Sequence, residues 1–290
     1  NVIDPTPYEL QEIHRLTHVE PDFLRAALDD DERSHTDIED GVLLVLTNLP
    51  ICQEEDVYDA LPLSIILTHN YIITICLQET AVMAEFNERT ARFFATFKKT
   101  QFLFQILYKS ATYYLKYLRQ ISRTSDEIED KLRHSMKNRE ILRLLQLQKG
   151  LTYFNAALRA NAVVLDKLLR LRSNQAISTV FRMYEEDEDL LDDVIIENKQ
   201  AREMVEMYSQ ILARLADTFS SIISNNQNLV MKFLTAITII MAIPTMISSF
   251  FGMNVPLPFE DNAMGYIYII SMATLASCGA AVFLWLRNMI

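Results

Sequence analysis

Two long apolar stretches near the end of the chain dominate its hydrophobic pattern. Residues 229–251 and 264–286 each reach the length of about 20 apolar residues that a helix needs to cross a bilayer. The first stretch contains one charged residue, Lys232, and the second contains none. Uncharged stretches of this length rarely form a buried hairpin in a soluble core. The pattern therefore predicts a soluble part up to about Asn228, followed by two transmembrane helices.

The first hundred residues alternate short apolar runs with turn residues. The run Gly41–Ile51 is apolar and β-branched, and the stretch Leu63–Glu79 resembles two strands joined at Thr68–Asn70. The stretch Pro21–Asp30 begins with proline and has helical spacing. Residues 1–100 are therefore predicted to form a small α/β domain.

Helical periodicity replaces this mixture from Thr80 to Leu171, where glycine and proline are almost absent. The pattern predicts a long antiparallel helical hairpin within residues 101–183, which turns near His134–Lys137. Gly150 lies inside this pattern and costs about 1 kcal/mol relative to alanine, which is not expected to break so long a helix.

A strongly acidic segment, Tyr184–Gln200, opens the next helical pattern, and neither proline nor glycine follows it until Pro244. Residues 184–228 are predicted to form a stalk that continues into the first span. One helix from about Leu190 to Phe251 would measure on the order of 90 Å. A lone helix of this length cannot bury its apolar stripe, so self-association is favoured.

Small and polar side chains form one stripe along the first span. Its members recur at steps of three and four residues: Asn228, Met231, Thr235, Thr238, Ala242, Thr245, Ser249 and Gly252. Such a stripe faces either a partner helix, where it forms the helix–helix packing surface, or water, where it lines a pore. In a symmetric pore, Asn228 and Asn254 would each form a ring of neutral oxygen dipoles. Such rings suit hydrated Mg²⁺, which sheds its water reluctantly and must be released again.

Composition and charge narrow the possible functions. The formal net charge of −11 argues against nucleic acid as a partner. The three cysteines have no CxxC spacing and the five histidines are scattered, which indicates a reduced cytosolic domain without a disulfide framework or a structural zinc site. Neither a phosphate-binding loop nor a nucleophile constellation is present, so the sequence does not predict an enzyme.

The charges that flank the spans predict their orientation. Lys232 and Arg287 lie at the ends that face away from the connecting loop, and the loop Gly252–Ala263 has no lysine or arginine. Cationic residues favour the cytoplasmic side, so we expect a multi-pass protein of the cell (inner) membrane with its N-terminal domain and C-terminus in the cytoplasm. The sequence shows no signal peptide at its start. The chain begins with Asn rather than Met, so the natural N-terminus is expected to be missing.

The tripeptide Gly252-Met253-Asn254, directly after a transmembrane helix and before an acidic loop and a last span, resembles the CorA magnesium channel family. The stretch Asn228–Asn254 is similar to the pore helix of that family, and the order of the domains matches over nearly the whole chain. The resemblance implies an α/β cytoplasmic domain plus a long helical hairpin and stalk helix, with two C-terminal transmembrane helices, in a homopentameric channel.

The resemblance also implies roles for individual residues. Gly252, Met253 and Asn254 would form the outer mouth, with Asn254 holding the hydrated ion, and the second spans would form an outer ring. The implied pore-facing residues are Asn228, Met231, Leu234 or Thr235, Thr238, Ala242, Thr245 and Ser249. Met231, Leu234 and Thr238 are the candidates for a hydrophobic constriction.

The family senses intracellular Mg²⁺ through acidic sites between neighbouring cytoplasmic domains. The resemblance places the stalk acid at Asp193, with Asp192 beside it, whereas the partner position falls at about Cys52. Glu54, Glu55 or Asp56 would have to substitute there. In the outer loop, Glu260 and Asp261 would attract cations towards the mouth. For both acidic groups, an ordinary solvated surface is the alternative.

Mg²⁺ is thus expected as the transported and regulatory ion, with the bilayer and further copies of the chain as partners. Two other functions stay open. The same fold could carry Zn²⁺, Co²⁺ or Ni²⁺ with proton coupling, as in the related ZntB branch. Alternatively, the chain could be a membrane-anchored helical sensor or scaffold without a pore.

Overall fold

The computed structural model describes residues 1–29, 32–53, 56–134, 138–172, 180–253 and 264–287. They group into two compact units, Asn1–Ala216 and Asp217–Ile290. The described helices are α1 (Pro7–Thr17), α2 (Pro21–Arg25), α3 (Ala81–Ala84), α4 (Lys99–His134), α5 (Asn138–Leu171), α6 (Glu185–Phe251) and α7 (Gly265–Leu286). Single 3₁₀ turns occur at Ala26–Leu28 and Ala91–Phe93.

A five-stranded sheet lies at the centre of the first unit. Its strands are β1 (Val2–Ile3), β2 (His35–Glu39), β3 (Val42–Cys52), β4 (Tyr58–Leu67) and β5 (Ile72–Cys76). Their order is β1-β5-β4-β3-β2, and every pair is antiparallel except β1 with β5. The predicted hairpin at Thr68–Asn70 is confirmed, because Leu67 pairs with Ile72 across it.

Both faces of the sheet are covered, which explains the continuous apolar run in β3. Leu43 and Val45 belong to the core on the side of α4 and α5, whereas Leu44 packs with Phe23 and Leu24 of α2 on the other side. Alternate side chains of a strand point to opposite faces, so a strand that is buried on both sides has no polar alternation.

Helices α4 and α5 form the predicted antiparallel pair. The rings of Tyr114 and Phe154 lie 5.0 Å apart in an edge-to-face contact. Further along, Thr124 of α4 and Arg143 of α5 both bind the carboxylate of Asp56. The second contact lies later in α4 but earlier in α5 than the first, so the two helices run antiparallel. Residues 135–137, where the turn is predicted, lie outside the described residues.

The stretch between α3 and α4 is less helical than its periodicity predicts. The side chains of Asn87 and Thr90 bond to backbone groups there. The backbone amide of Asn87 donates to the Thr90 hydroxyl, and that of Arg89 donates to the Asn87 side-chain oxygen. The Thr90 hydroxyl in turn donates to the carbonyl of Glu85. Such local bonds offer the backbone an alternative to the helix. The rings of Phe86, Phe94 and Phe102 then cluster around the resulting bend.

The predicted long helix is confirmed as α6, although it begins at Glu185 rather than near Leu190. Four acidic residues occupy its first turn, where negative charge is stabilised by the helix dipole. The Asp187 carboxylate also accepts a hydrogen bond of 3.0 Å from the amide of Tyr184. The acidic segment therefore favours an earlier start of the helix than apolar spacing alone suggests.

Gly150 has a specific role in the packing of α5 on the sheet. A Cβ atom added there would lie 2.8 Å from the Cβ of Tyr58 and 3.2 Å from its carbonyl oxygen. The neighbouring atoms belong to the backbone or its first side-chain atom, so they cannot swing away. The glycine thus allows α5 to approach β4 closely.

We expect Gly150→Ala to destabilise the first unit in spite of alanine's better helix propensity. Overpacking costs about 1–3 kcal/mol, against a gain of about 1 kcal/mol from propensity. The net loss of about 1 kcal/mol should lower the unfolding temperature by about 2–4 °C, measured by circular dichroism. Gly279→Ala in α7 is the matched control, because no atom of the described residues lies within 4 Å of its added Cβ. Equal behaviour of the two variants would contradict the close contact.

Candidate functional site

The predicted stripe lies on one continuous helix, because α6 passes through Pro244 and ends at Phe251. Within residues 229–251, the buried and half-buried positions also form a stripe: Ala236, Ile240, Ile243, Pro244, Ile247 and Phe251. The corresponding positions of α7 are Gly265, Ile269, Ala273, Ser277, Ala280, Ala281 and Leu284. Since these two helices make up the described part of the second unit, we infer that they pack together along these stripes.

The polar stripe of α6 lies on the opposite face from this packed stripe. At 100° per residue, the centres of the two stripes are roughly 170° apart around the helix axis. Every polar-stripe residue from Asn228 to Gly252 is exposed, and Leu234 is an exposed residue at its edge. The small and polar side chains therefore do not mediate the packing of α6 on α7 and are free to face water or further copies of the chain.

Threonine geometry gives the polar stripe a defined chemical character. The hydroxyls of Thr235 and Thr238 each donate a 2.8 Å hydrogen bond to a carbonyl one turn earlier, and Thr245 does the same at 2.9 Å. Each hydroxyl hydrogen is thereby engaged, and the remaining lone pairs of the oxygen point outward as acceptors. Acceptors suit a hydrated cation, because its bound waters present hydrogens to their surroundings.

The predicted outer mouth is described only in part. The amide of Gly252 donates to the carbonyl of Ser248 at 3.0 Å, and the amide of Met253 donates to Phe250 at 3.4 Å. A Cβ at Gly252 would lie 3.2 Å from the Ser248 oxygen, which is a tight contact. Asn254, Glu260 and Asp261 lie outside the described residues.

Exposure of the apolar segments fits a membrane rather than a soluble core. Helices α6 and α7 are both long and apolar enough to cross a bilayer. Only 6% of the most apolar window in α6 and 11% of that in α7 is buried. The core helix of a soluble protein would be mostly buried, so these values argue against the alternative of a hairpin in a soluble core.

Aromatic side chains mark both ends of α7. Tyr266 and Tyr268 are exposed near its start, and Trp285 is exposed near its end. Tyr266 and Trp285 lie roughly 28 Å apart along the axis, close to the hydrocarbon thickness of about 30 Å. Tyrosine and tryptophan are enriched at membrane interfaces, so this spacing supports a spanning helix.

The candidate sensor acids of α6 are exposed. Asp192 and Asp193 point away from the core, between the buried residues Leu191 and Val194. Their proposed partners Glu54 and Glu55 lie outside the described residues. Among the residues that the structure describes, histidine, cysteine and acidic side chains form no group of three or more that could hold a metal ion. A metal site at Asp193 would therefore need ligands other than the described side chains of the same chain.

The loop between β3 and β4 differs from the expected sensor partner. Partial burial, and secondarily the charge of Asp56, raises the pKa of the Cys52 thiol, so it stays neutral at pH 7 and adds no charge for a cation. Asp56 is buried and binds Arg143 and Thr124, each at 3.1 Å. This carboxylate is therefore a structural counter-ion, which leaves Glu54 and Glu55 as the acidic candidates of the loop.

Comparison with known proteins agrees with this architecture. A family profile described as "CorA-like Mg2+ transporter protein" matches residues 1–287. The cobalt/magnesium transport protein CorA of Methanocaldococcus jannaschii is 26% identical over 279 residues, which cover 93% of this chain and 84% of that protein.

Solved structures show the same fold. The complete CorA magnesium transporter from Methanocaldococcus jannaschii superposes with a TM-score of 0.80 at 24% identity, covering 99% of this chain and 89% of that one. The full-length CmaX protein gives 0.70 at 16% identity, covering 99% and 86%. The cytoplasmic domain of ZntB from Vibrio parahaemolyticus gives 0.59 at 15% identity, covering 75% and 84%. The match of the family profile over nearly the whole chain shows that this protein belongs to the family of CorA-like Mg²⁺ transporter proteins.

Proposed function

We propose that the chain assembles as a homopentamer in the cell (inner) membrane and conducts hydrated Mg²⁺ through a central pore lined by the polar stripe of α6. The observation that carries this proposal is the position of that stripe, which is exposed and lies opposite the half-buried face of α6. Symmetric association through α6 would place the stripe at the axis and α7 on the outside.

The chemistry of the stripe supports passage rather than storage of the ion. The outward acceptors of the three threonines, and the amides of Asn228 and Asn254, can hold the inner-shell waters without removing them. The stripe has no carboxylate that would retain a divalent cation. Several weak sites in series favour both binding and release. Met231 and Leu234 would form the hydrophobic constriction near the inner end, at or below the level of Thr238.

Charge supports the proposed orientation. Lys232 and Arg287 are the only charged side chains in residues 218–253 and 264–287. Both lie at the ends of their helices away from the outer loop, as expected for the cytoplasmic side. The N-terminal domain and the C-terminus would then be cytoplasmic. Glu260 and Asp261 would concentrate cations near the outer mouth.

Regulation by internal Mg²⁺ forms the second part of the proposal. Asp192 and Asp193 of one copy, with Glu54 and Glu55 of its neighbour, would bring like charges together at a subunit boundary. A divalent cation would relieve their repulsion and hold the copies together. Loss of the ion would release the copies and open the pore.

Ion flux into proteoliposomes tests the transport proposal. Full-length protein should admit Mg²⁺ without a proton gradient, and Co²⁺ is a second expected cargo because the curated relative is named a cobalt/magnesium transport protein. Zn²⁺ flux that needs a proton gradient, without Mg²⁺ flux, would favour the zinc alternative. The absence of flux for Mg²⁺, Co²⁺, Ni²⁺ and Zn²⁺ would refute a channel and leave the membrane-anchored sensor.

The same vesicles test the sensor. Internal Mg²⁺ is expected to suppress flux through the unaltered protein, and Asp193→Ala should require a several-fold higher concentration for the same suppression. Asp189→Ala, an exposed acid of the same helix, serves as the control. If Asp193→Ala and Asp189→Ala respond alike, Asp193 is not part of the sensor.

A further inference from the structure

A small cavity lies inside the first unit where β3, α4, α5 and α6 meet. Its volume is about 10 Å³, and the side chains that line it are all buried. Four of them are polar: Thr47, Ser110, Asn161 and Asn198. The others are aliphatic, and none is charged. The cavity is therefore a polar pocket in the middle of an apolar core.

Ser110 has the clearest need for a ligand in this cavity. Its side chain is 3% exposed, and its hydroxyl has no hydrogen-bonding partner among the residues that the structure describes. A nearby hydroxyl on the same helix, that of Thr112, donates to the carbonyl of Tyr108 at 2.9 Å. Ser110 makes no such bond to its own helix. A buried hydroxyl without a partner is costly, so a partner in the cavity would stabilise the fold.

Asn161 extends the polar network at this cavity. The side-chain oxygen of Asn161 accepts from Ser34, Thr47 and the amide of Asn48, and one of its amide hydrogens goes to the carbonyl of Asn48. Its second amide hydrogen is not used in these four hydrogen bonds.

Asn198 lies on the α6 side of the cavity. Its side-chain amide donates to the carbonyl of Leu158 at 3.2 Å, and its side-chain oxygen is an additional acceptor. Donors and acceptors are thus available around Ser110 from two neighbouring helices.

We propose that this cavity binds one ordered water molecule, which hydrogen-bonds Ser110 and links α4 to Asn198 of α6. A single water needs a volume of about 10–15 Å³ and two to four polar partners, and the cavity meets both conditions. An organic ligand would not fit, and an ion would find no opposite charge.

The proposed water would contact α6 at a polar position within an otherwise apolar buried face. The face of α6 buried in the first unit is apolar at Leu191, Val194, Ala201 and Val205 and is interrupted by Asn198. Apolar side chains alone specify a helix position only by shape, whereas a bridged amide has fixed donor and acceptor directions. The hydrated contact therefore fixes which residues of α6 face α4 and α5.

Two chemically identical substitutions test the proposal. Ser110→Ala removes a ligand of the water and should lower the unfolding temperature of the full-length protein by about 2–4 °C. Ser64→Ala is the matched control, because the hydroxyl of Ser64 is also buried and has no partner in the described part of the chain, but does not line this cavity. Removal of that hydroxyl should leave the unfolding temperature unchanged or raise it. Alanine's better helix propensity acts against the expected loss at Ser110, which makes the test stringent.

An unchanged or higher unfolding temperature for Ser110→Ala would overturn the proposal. The direct readout is a structure of the full-length protein at a resolution that shows ordered solvent. It should contain a water within about 3.2 Å of both the Ser110 hydroxyl and the Asn198 side chain. A cavity without such a density would equally refute the bridge, whatever the thermal result.

Discussion

Thr238→Val is expected to reduce Mg²⁺ flux in proteoliposomes at least about tenfold, equivalent to about 1.4 kcal/mol in the barrier. Valine keeps the shape of threonine but replaces its outward acceptor with a methyl group. In a symmetric pore, every copy loses an acceptor at the same level. A hydrogen bond to an ion-bound water is worth about 0.5–1.5 kcal/mol, and because the loss is repeated in every copy at the same level, the sum reaches the barrier of a tenfold effect.

Thr274→Val provides the control for this prediction. Thr274 lies on α7, is exposed, and donates its hydroxyl hydrogen to Ile270 at 2.8 Å, as Thr238 does to Leu234. The two substitutions are therefore chemically the same on two different helices. Flux should be nearly normal in Thr274→Val. Similar flux in both variants would show that the stripe of α6 does not line the ion path.

Arg143→Met is expected to cost about 3 kcal/mol of folding stability, because it leaves the Asp56 carboxylate buried without its cation. Arg143 reaches Asp56 through two nitrogens, and its third guanidinium nitrogen contacts Glu140 at 3.3 Å. The Asp56 side chain is only 8% exposed, so water cannot replace the arginine. The unfolding temperature should fall by about 6–12 °C, at about 2–4 °C per kcal/mol for a unit of this size.

The surface supplies a matched control for the buried pair. Arg170→Met removes an exposed pair with Asp166 on α5, and such pairs contribute about 0–1 kcal/mol. A second variant, Asp56→Asn with Arg143→Met, should recover part of the loss by removing the unpaired charge. Asparagine tolerates the left-handed backbone of position 56, where φ is 69°. If Arg143→Met behaves like Arg170→Met, the pair is not structural.

Much of the fold could be predicted because many of its elements leave a pattern within a single stretch of the sequence. The two spans, the continuous helix α6 and the hairpin of β4 with β5 each leave a pattern within one stretch of sequence. Helix α1 also has such a signal, although it is absent from the sequence predictions. The Thr6 hydroxyl accepts from the amide of Glu9, while the Glu9 carboxylate accepts from the amide of Thr6 at 2.8 Å. This capping box, followed by Pro7, is readable in the sequence.

Contacts between distant residues could not be predicted in this way. Asp56 and Arg143 are 87 positions apart, and neither stands out among the 38 acidic and 27 basic residues of the chain. The requirement for glycine at position 150 likewise depends on the backbone of Tyr58. Periodicity alone reveals a pair of buried helices but gives no register between them and the sheet.

The candidate pore stripe could be predicted only in part. Its spacing is evident from the sequence, but spacing cannot decide between a surface for helix–helix packing and a pore lining. The burial of Ala236, Ile243 and Ile247 places the packed face of α6 opposite the polar stripe, which excludes packing on α7 as the role of the stripe and leaves a pore lining or a contact between copies of the chain. The acceptor character of the threonines also depends on rotamers that only the folded helix fixes.

The absence of ionisable side chains from the polar stripe has an electrical consequence. In the proposed pore, no carboxylate or imidazole on the stripe could neutralise Mg²⁺ or relay a proton against it, so each ion would carry two elementary charges across the membrane. A potential of 100 mV supplies about 2.3 kcal/mol per charge, or about 4.6 kcal/mol per Mg²⁺. With the cytoplasm negative, that voltage alone would sustain an inward concentration ratio of roughly 2,000 at equilibrium. Closure of the path, rather than an energy source, would then be what limits accumulation.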